Sequence, residues 1–193
     1  MEIRIRRLTP ELWKDYVEFF DNTTHDTGIK EHKCYCVCWC NDDYACKDFS
    51  TAEKRRQMAI EYVKNNNIQG YLAYQGNKVV GWCNANTKAD CLKCVSWRMF
   101  MHHVPLDEER KVKSVFCFVI EPTMKRQGIA TQLLNRVIQD AIKDEFDAIE
   151  AYPYKESSYL SSDFGGYVKM YEKLGFSMTL ETEQGYVMTK SLH

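Results

Sequence analysis

Apolar and polar residues alternate at the start of the chain, where Ile3 and Ile5 interleave with Arg4 and Arg6. That two-residue period predicts a strand over Ile3 to Leu8. Thr9 followed by Pro10 is a helix start, and the pattern after it predicts a helix to about Phe20. From Asp21 to Phe49 the periodicity is lost and cysteines and turn formers accumulate, which predicts a long irregular loop. Ser50 and Glu53 have the spacing of a capping box before a helix over about Thr51 to Lys64. Gly70–Tyr74 and Lys78–Ala85 flank Gln75-Gly76-Asn77, the signal of a hairpin. After a loop-rich segment, Ser114–Ile120 is a nearly continuous apolar run, as expected of a strand covered on both faces. Ile129, Leu133 and Val137, with Leu134, Ile138 and Ala141, form one apolar stripe on a helix from about Gly128 to Lys143. A strand at Ala148–Tyr152, a short helix at Tyr167–Leu174 and two strands around Glu183-Gln184-Gly185 complete the order. This succession predicts one α/β domain over residues 1–193 with a mixed sheet.

The bulk numbers narrow the function. The 193 residues suffice for one sizeable core. A formal net charge of −1 gives no reason to expect a nucleic-acid partner. The first residues, MEIRIRRLTP, lack the apolar stretch of a secretory signal, and no run is long enough to span a membrane, so a cytoplasmic location is expected. In that compartment the nine cysteines are not expected to form a disulfide framework.

The most informative segment runs from Val119 to Thr131. A buried strand ends at Ile120, Pro122 stops it, and Lys125 and Arg126 lead into a helix beginning near Gly128. The first N–H groups of a helix have no internal acceptor, and that end is electropositive, so it suits phosphate. Gly128 would let a ligand approach the backbone. The segment Lys125-Arg-Gln-Gly-Ile-Ala130 resembles the acetyl-coenzyme A loop of the GCN5-related N-acetyltransferase (GNAT) family, R/Q-x-x-G-x-G/A. It has the family's strand before it and its helix after it, and the likeness extends from about Gly70 to the end. Lys125 stands where the family has Arg or Gln, which keeps a cation and loses a forked or amide donor.

The resemblance implies a GNAT acyl-CoA N-acyltransferase fold, a mixed central sheet flanked by helices. It implies acetyl-CoA as cosubstrate, bound by Lys125, Arg126, Gln127, Gly128, Ile129, Ala130 and Thr131, with the pantetheine arm along Phe118, Val119 and Ile120. The Val119 N–H would hold the developing oxyanion. Tyr167-Val-Lys-Met-Tyr-Glu-Lys-Leu-Gly-Phe176 resembles the family's C-terminal helix, which makes Tyr171 the acid that protonates the departing thiolate. A core aromatic is the alternative for Tyr171. Glu150, on the strand expected to splay away from Ser114–Ile120, would be the base that takes the amine's proton, or a surface carboxylate. His102 and His103 are weaker bases, and Tyr152, Tyr154 and Asp163 are candidates for the acceptor side.

Cys34-Tyr-Cys-Val-Cys-Trp-Cys40 would put its cysteines on one face if it were a strand, where thiolates could bind a metal. Its C-x-C spacing is not that of a structural zinc site, and free cysteine packs as a small apolar residue. No metal is expected, and a wall of the acceptor pocket is the favoured reading. The expected function is transfer of an acetyl group to a primary amine of a small molecule, or of a peptide N-terminus or lysine. The family also makes a homodimer a natural arrangement. The rival is a thiol-based metal or redox sensor that uses an acyl-CoA-binding domain for regulation.

Overall fold

The computed structural model describes residues 2–23, 28–155 and 163–193. One seven-stranded sheet runs through it in the order β1-β2-β3-β4-β5-β7-β6. The strands are β1 (Arg4–Arg7), β2 (Gly70–Gln75), β3 (Lys78–Thr87), β4 (Val112–Ile120), β5 (Ala148–Ala151), β6 (Ser177–Glu181) and β7 (Tyr186–Ser191). β4 and β5 pair in parallel, while the other neighbours are antiparallel. The helices are α1 (Trp13–Asn22), α2 (Ala52–Lys64), α3 (Ile129–Lys143) and α4 (Val168–Lys173).

Each face of the sheet has its own core. Leu12 of the turn before α1, Tyr16 and Phe20 of α1 and Ala59 and Val63 of α2 pack on one face against Leu72, Trp82 and Phe116. Leu133, Leu134, Val137 and Ala141 of α3 and Tyr171 of α4 cover the other, on Val80, Val115, Phe118 and Ile149. The apolar stripe read on α3 is this buried surface.

The local signals differ in detail. Pro10–Leu12 is a 3₁₀ turn before α1, with Thr9 extended at φ −130°. The cap of α2 is Thr51, whose hydroxyl accepts the Lys54 N–H at 3.2 Å, and not Ser50. Ser50 is one residue too early, and its hydroxyl takes the Lys54 ammonium at 3.3 Å. Gln75 pairs with Lys78, which leaves Gly76-Asn77 as the turn, with Gly76 at φ 59°.

The cysteine run is not a strand. Its residues form turns, with Tyr35 and Cys36 both left-handed at φ 48° and 54°. The Tyr35 carbonyl accepts the buried Tyr16 hydroxyl at 2.7 Å, which helps hold this uncommon backbone. Cys36 and Cys40 are buried while Cys34 and Cys38 are half-buried, so the four do not share a face. All nine cysteines are free thiols. Among the described residues no group of three or more His, Cys, Asp or Glu could hold a metal ion, and no helix is long and apolar enough to cross a membrane.

Candidate active site

The sheet opens where β4 outlives its partner. β4 pairs with β5 only from Val112 to Val115, so Phe116 to Ile120 continue without β5 beside them. The β3–β4 register shifts between Asn84 and Ala85, which makes Phe116 an extra residue. That bulge puts Phe116 and Cys117 in the same core, while Val115 and Phe118 belong to the other. The Asp163–Gly165 turn lies beside the unpaired half of β4.

A groove of about 280 Å³ starts in this opening and runs over the beginning of α3. Phe118, Val119, Ile120, Lys125, Arg126, Gly128, Ile129, Ala130 and Thr131 all line it. Of the residues expected around the cofactor, Gln127 alone is not in the lining; its side-chain amide donates to the Thr123 carbonyl at 3.2 Å. Opposite walls come from Phe20, Lys33 and Cys34 on one side and Phe164, Gly166 and Met170 on the other. Sequence reasoning missed Lys33, because nothing local ties it to the groove. Its ammonium donates to the Phe20 carbonyl at 2.9 Å and to that of Asp21.

The loop before α3 has the form of an anion cradle. Arg126 and Gly128 are left-handed, at φ 65° and 77°, and alternation of backbone hand turns successive N–H groups into one concavity. Ile129, Ala130 and Thr131 open the helix, so their N–H groups lack intrahelical acceptors. A Cβ placed on Gly128 would meet nothing within 4 Å, so the backbone there lies open to an approaching group. Gly81 of β3 lets the helix start sit close: a Cβ there would lie 3.1 Å from Ile129 Cγ2 and 3.0 Å from Ile120 Cδ1. The residues present thus fit a diphosphate at this end and an extended, mostly apolar arm along β4.

The register decides which β4 donors face the opening. Glu121 N–H donates to the Val80 carbonyl on β3 at 3.0 Å. Backbone groups alternate in direction along a strand, so Val119 N–H, opposite Trp82, also points to β3. The N–H groups of Phe118 and Ile120 point the other way, into the gap. Strand parity therefore works against Val119 as the oxyanion donor, although the residue lines the groove.

Tyr171 is fully buried and absent from the groove lining. Its hydroxyl donates to the Gly165 carbonyl at 2.7 Å. A Cβ on Gly166, a groove residue, would stand 3.0 Å from that hydroxyl, so only the bare glycine backbone separates the two. Burial pushes the Tyr171 phenol well above its ordinary range and keeps it protonated at neutral pH. Gly175, at φ 81°, ends α4 in a Schellman arrangement, with Phe176 N–H on the Tyr171 carbonyl at 3.1 Å.

Glu150 lies on β5 opposite Ser114. Its Oε2 accepts from the Lys88 ammonium at 2.7 Å and from the Tyr152 hydroxyl at 3.0 Å. Lys88 is 2% exposed and also donates to the Pro105 carbonyl at 2.5 Å. Tyr152 is 2.7 Å from Ser114 Oγ, and burial with Glu150 beside it pushes the phenol well above its ordinary range. Nothing in the local sequence signals Lys88, since the Lys88–Cys91 turn that carries it follows β3 without a recognisable pattern. His103, Tyr152 and Tyr154 line a second cleft on the far side of the Asp163–Gly165 turn, and His102 is not in its lining. The side chain of Asp163 lies outside the described residues.

Residues 6–176 match the model of the acetyltransferase (GNAT) family. The chain belongs to that family. It is a GNAT acetyltransferase, and its mixed sheet with flanking helices is the GNAT fold. Among curated proteins no sequence match is found. Solved structures share the fold at low identity. The PaiA N-acetyltransferase of Thermoplasma acidophilum, solved with coenzyme A, has 16% identity, TM-score 0.54 and 99% coverage of each chain. YncA of Salmonella typhimurium, solved with acetyl-CoA, has 14% identity and TM-score 0.57, with 100% of this chain and 95% of that one covered. The ribosomal-protein-S5-alanine acetyltransferase of Vibrio fischeri has 14% identity and TM-score 0.57, with 99% and 93% covered.

Proposed function

We propose that this GNAT enzyme transfers an acetyl group from acetyl-CoA directly to a primary amine. The observation that carries the reading is the continuous groove from the left-handed Arg126–Gly128 turn to the unpaired half of β4. Bound there, acetyl-CoA supplies an activated thioester. The backbone N–H groups at the start of α3 hold its diphosphate, with Lys125 and Arg126 adding charge. The exposed edge of β4 orients the arm, and Phe118 or Ile120 N–H, aimed into the gap, stabilises charge on the carbonyl oxygen.

The proton leaves and returns at named atoms. Glu150 Oε2 takes the acceptor's proton by way of the Tyr152 hydroxyl, which already donates to it. The amine nitrogen then bonds to the acetyl carbon as the carbon–sulfur bond breaks. Tyr171 Oη gives up its hydrogen bond to Gly165 and protonates the departing sulfur past Gly166. The name of the S5-alanine enzyme records a protein substrate, so a peptide N-terminus stands beside small amines among the acceptor classes to be tested.

Release of free thiol from acetyl-CoA in the presence of an amine library tests the reading, run with and without a chelator. Amine-dependent thiol release that survives the chelator is expected. Absence of acetyl-CoA binding in a calorimetric titration of the folded protein would remove it.

A further inference from the structure

The second cleft lies against the groove across a thin wall. Phe164 and Gly166 line the groove, whereas a Cβ on Gly165 between them would sit 2.8 Å from the Tyr152 carbonyl and 3.3 Å from Tyr154 Cδ2. Phe116 lines the cleft from the β4 bulge, two residues from Phe118 of the groove. An acceptor seated in the cleft would therefore meet the thioester at this wall.

Half of its lining residues are aromatic, and the rest are small, aliphatic or uncharged polar. Trp39 stacks on Phe116 at 4.3 Å between ring centroids, and Phe116 stacks on Tyr152 at 5.4 Å. Trp97 stands edge-on to both, at 6.3 and 6.4 Å. Tyr154, Tyr186 and His103 also line it, with Thr182 and Gln184 as uncharged polar groups, and among the described residues no Asp, Glu, Lys or Arg lines the cleft. Behind it, Glu150 and Ser114 hold the Tyr152 hydroxyl by hydrogen bonds, and Lys88 in turn donates to Glu150. The nearby charges Lys155 and Glu181 pair with each other at 2.6 Å.

We infer that the acceptor is a small monoamine on an uncharged aromatic body, an arylalkylamine. This inference rests on the acetyltransfer reading above. Aromatic faces attract an ammonium through their quadrupole and bury an apolar arm. A polyamine or aminoglycoside would bring several further charges to a lining in which no described residue is a carboxylate, and an amino acid would bring a carboxylate to one in which no described residue is Lys or Arg. The cleft, about 30 Å³, has room for a few heavy atoms, so an aminoalkyl head would enter it and the ring would stay at the mouth. A peptide would need free backbone partners, and among the described residues several at the rim are already paired. Tyr186 N–H donates to the Pro153 carbonyl, Lys155 N–H to that of Gln184, and Tyr154 bridges Gly185.

The test compares phenethylamine, phenylalanine, spermidine, kanamycin and an alanine-initiated hexapeptide as acceptors, by kcat/KM from thiol release. Acetyl-CoA binding is measured on the same samples by calorimetry. Phenethylamine is expected to lead the others by at least about tenfold, or 1.4 kcal/mol, which is within the roughly 2 kcal/mol that one desolvated cation–π contact supplies. Trp39→Phe, which keeps an aromatic wall, should retain most of that activity. Trp39→Leu should raise the phenethylamine KM about tenfold with the acetyl-CoA Kd unchanged. Preference for spermidine, kanamycin, phenylalanine or the peptide, with acetyl-CoA still bound, overturns the inference and leaves the enzyme reading standing. Equal KM in wild type and Trp39→Leu also overturns it. Loss of acetyl-CoA binding in the wild type would instead count against the underlying reading.

Discussion

Tyr171 shows what one hydroxyl has to do in two states. At rest it satisfies the Gly165 carbonyl, and in the proposed reaction it must leave that bond to reach sulfur. Tyr171→Phe keeps the ring, its contact with Phe176 at 5.3 Å and most of the packing. It leaves the Gly165 carbonyl without this donor, at a cost of about 1–3 kcal/mol if the group stays dry. A fall in kcat of roughly 10²-fold is expected, the low end for a positioned acid because a thiolate is a fair leaving group. Acetyl-CoA affinity should change little, the signature of an interaction made in the transition state. Pre-steady-state kinetics with calorimetry check this. Full kcat with chemistry rate-limiting would leave Tyr171 as a buried aromatic whose hydroxyl serves Gly165.

At the scale of elements, the start of α3 is placed by its neighbours. Pro122 ends the strand, Gly81 admits Ile129, and the left-handed Arg126 and Gly128 fold the loop into a cradle. Gly128→Glu puts a side chain and a negative charge into that cradle, and acetyl-CoA affinity should fall at least about tenfold, or 1.4 kcal/mol. At φ 77° any L residue is also strained, by about 1–2 kcal/mol for most. Gly128→Asn separates the two effects, since Asn tolerates this backbone better. It should keep a near-native melting temperature and still bind more weakly. Unchanged affinity in both variants would take the loop out of the site.

For the molecule as a whole, buried weak acids set the alkaline limit of stability. Burial pushes the Cys34 thiol up to about 11, and those of Cys38 and Cys40 up to about 12. Unfolded thiols titrate near 8.5. Above that pH the unfolded chain releases protons that the folded chain keeps, so stability falls as pH rises toward 11 or 12. Buried Tyr16, Tyr152 and Tyr171, all raised, add the same sign above about pH 10. Cys36 opposes the trend, because its bond with Cys117 favours the thiolate. The melting temperature should be level from pH 6 to about 8 and decline beyond 9. A thiol reagent should modify exposed Cys46 first and the buried thiols only on unfolding. A melting temperature constant through pH 10 would contradict this.

The sequence by itself determined most of the elements and which residues line the end of the groove at the start of α3. Short-range periodicity and the Lys125–Ala130 loop are written in neighbouring residues, and physics at that range needs no fold. So the strand of Phe118–Ile120 and the helix after Gly128 were legible, and their residues do line one groove. The tertiary structure alone decided what depends on parity and on distant partners. The register with β3 turned Val119 N–H away from the opening, a choice that one residue of slip would reverse. Lys33 reached the groove across a long irregular loop, and Lys88 met Glu150 from 62 positions away. The cysteine run, whose alternation would have suited a strand, forms turns with Tyr35 and Cys36 left-handed, where the Tyr16 hydroxyl bonds the Tyr35 carbonyl. The aromatic cleft joins Trp39, Phe116 and Tyr152 from three separate segments, and no local pattern marks residues that meet only once the sheet has splayed.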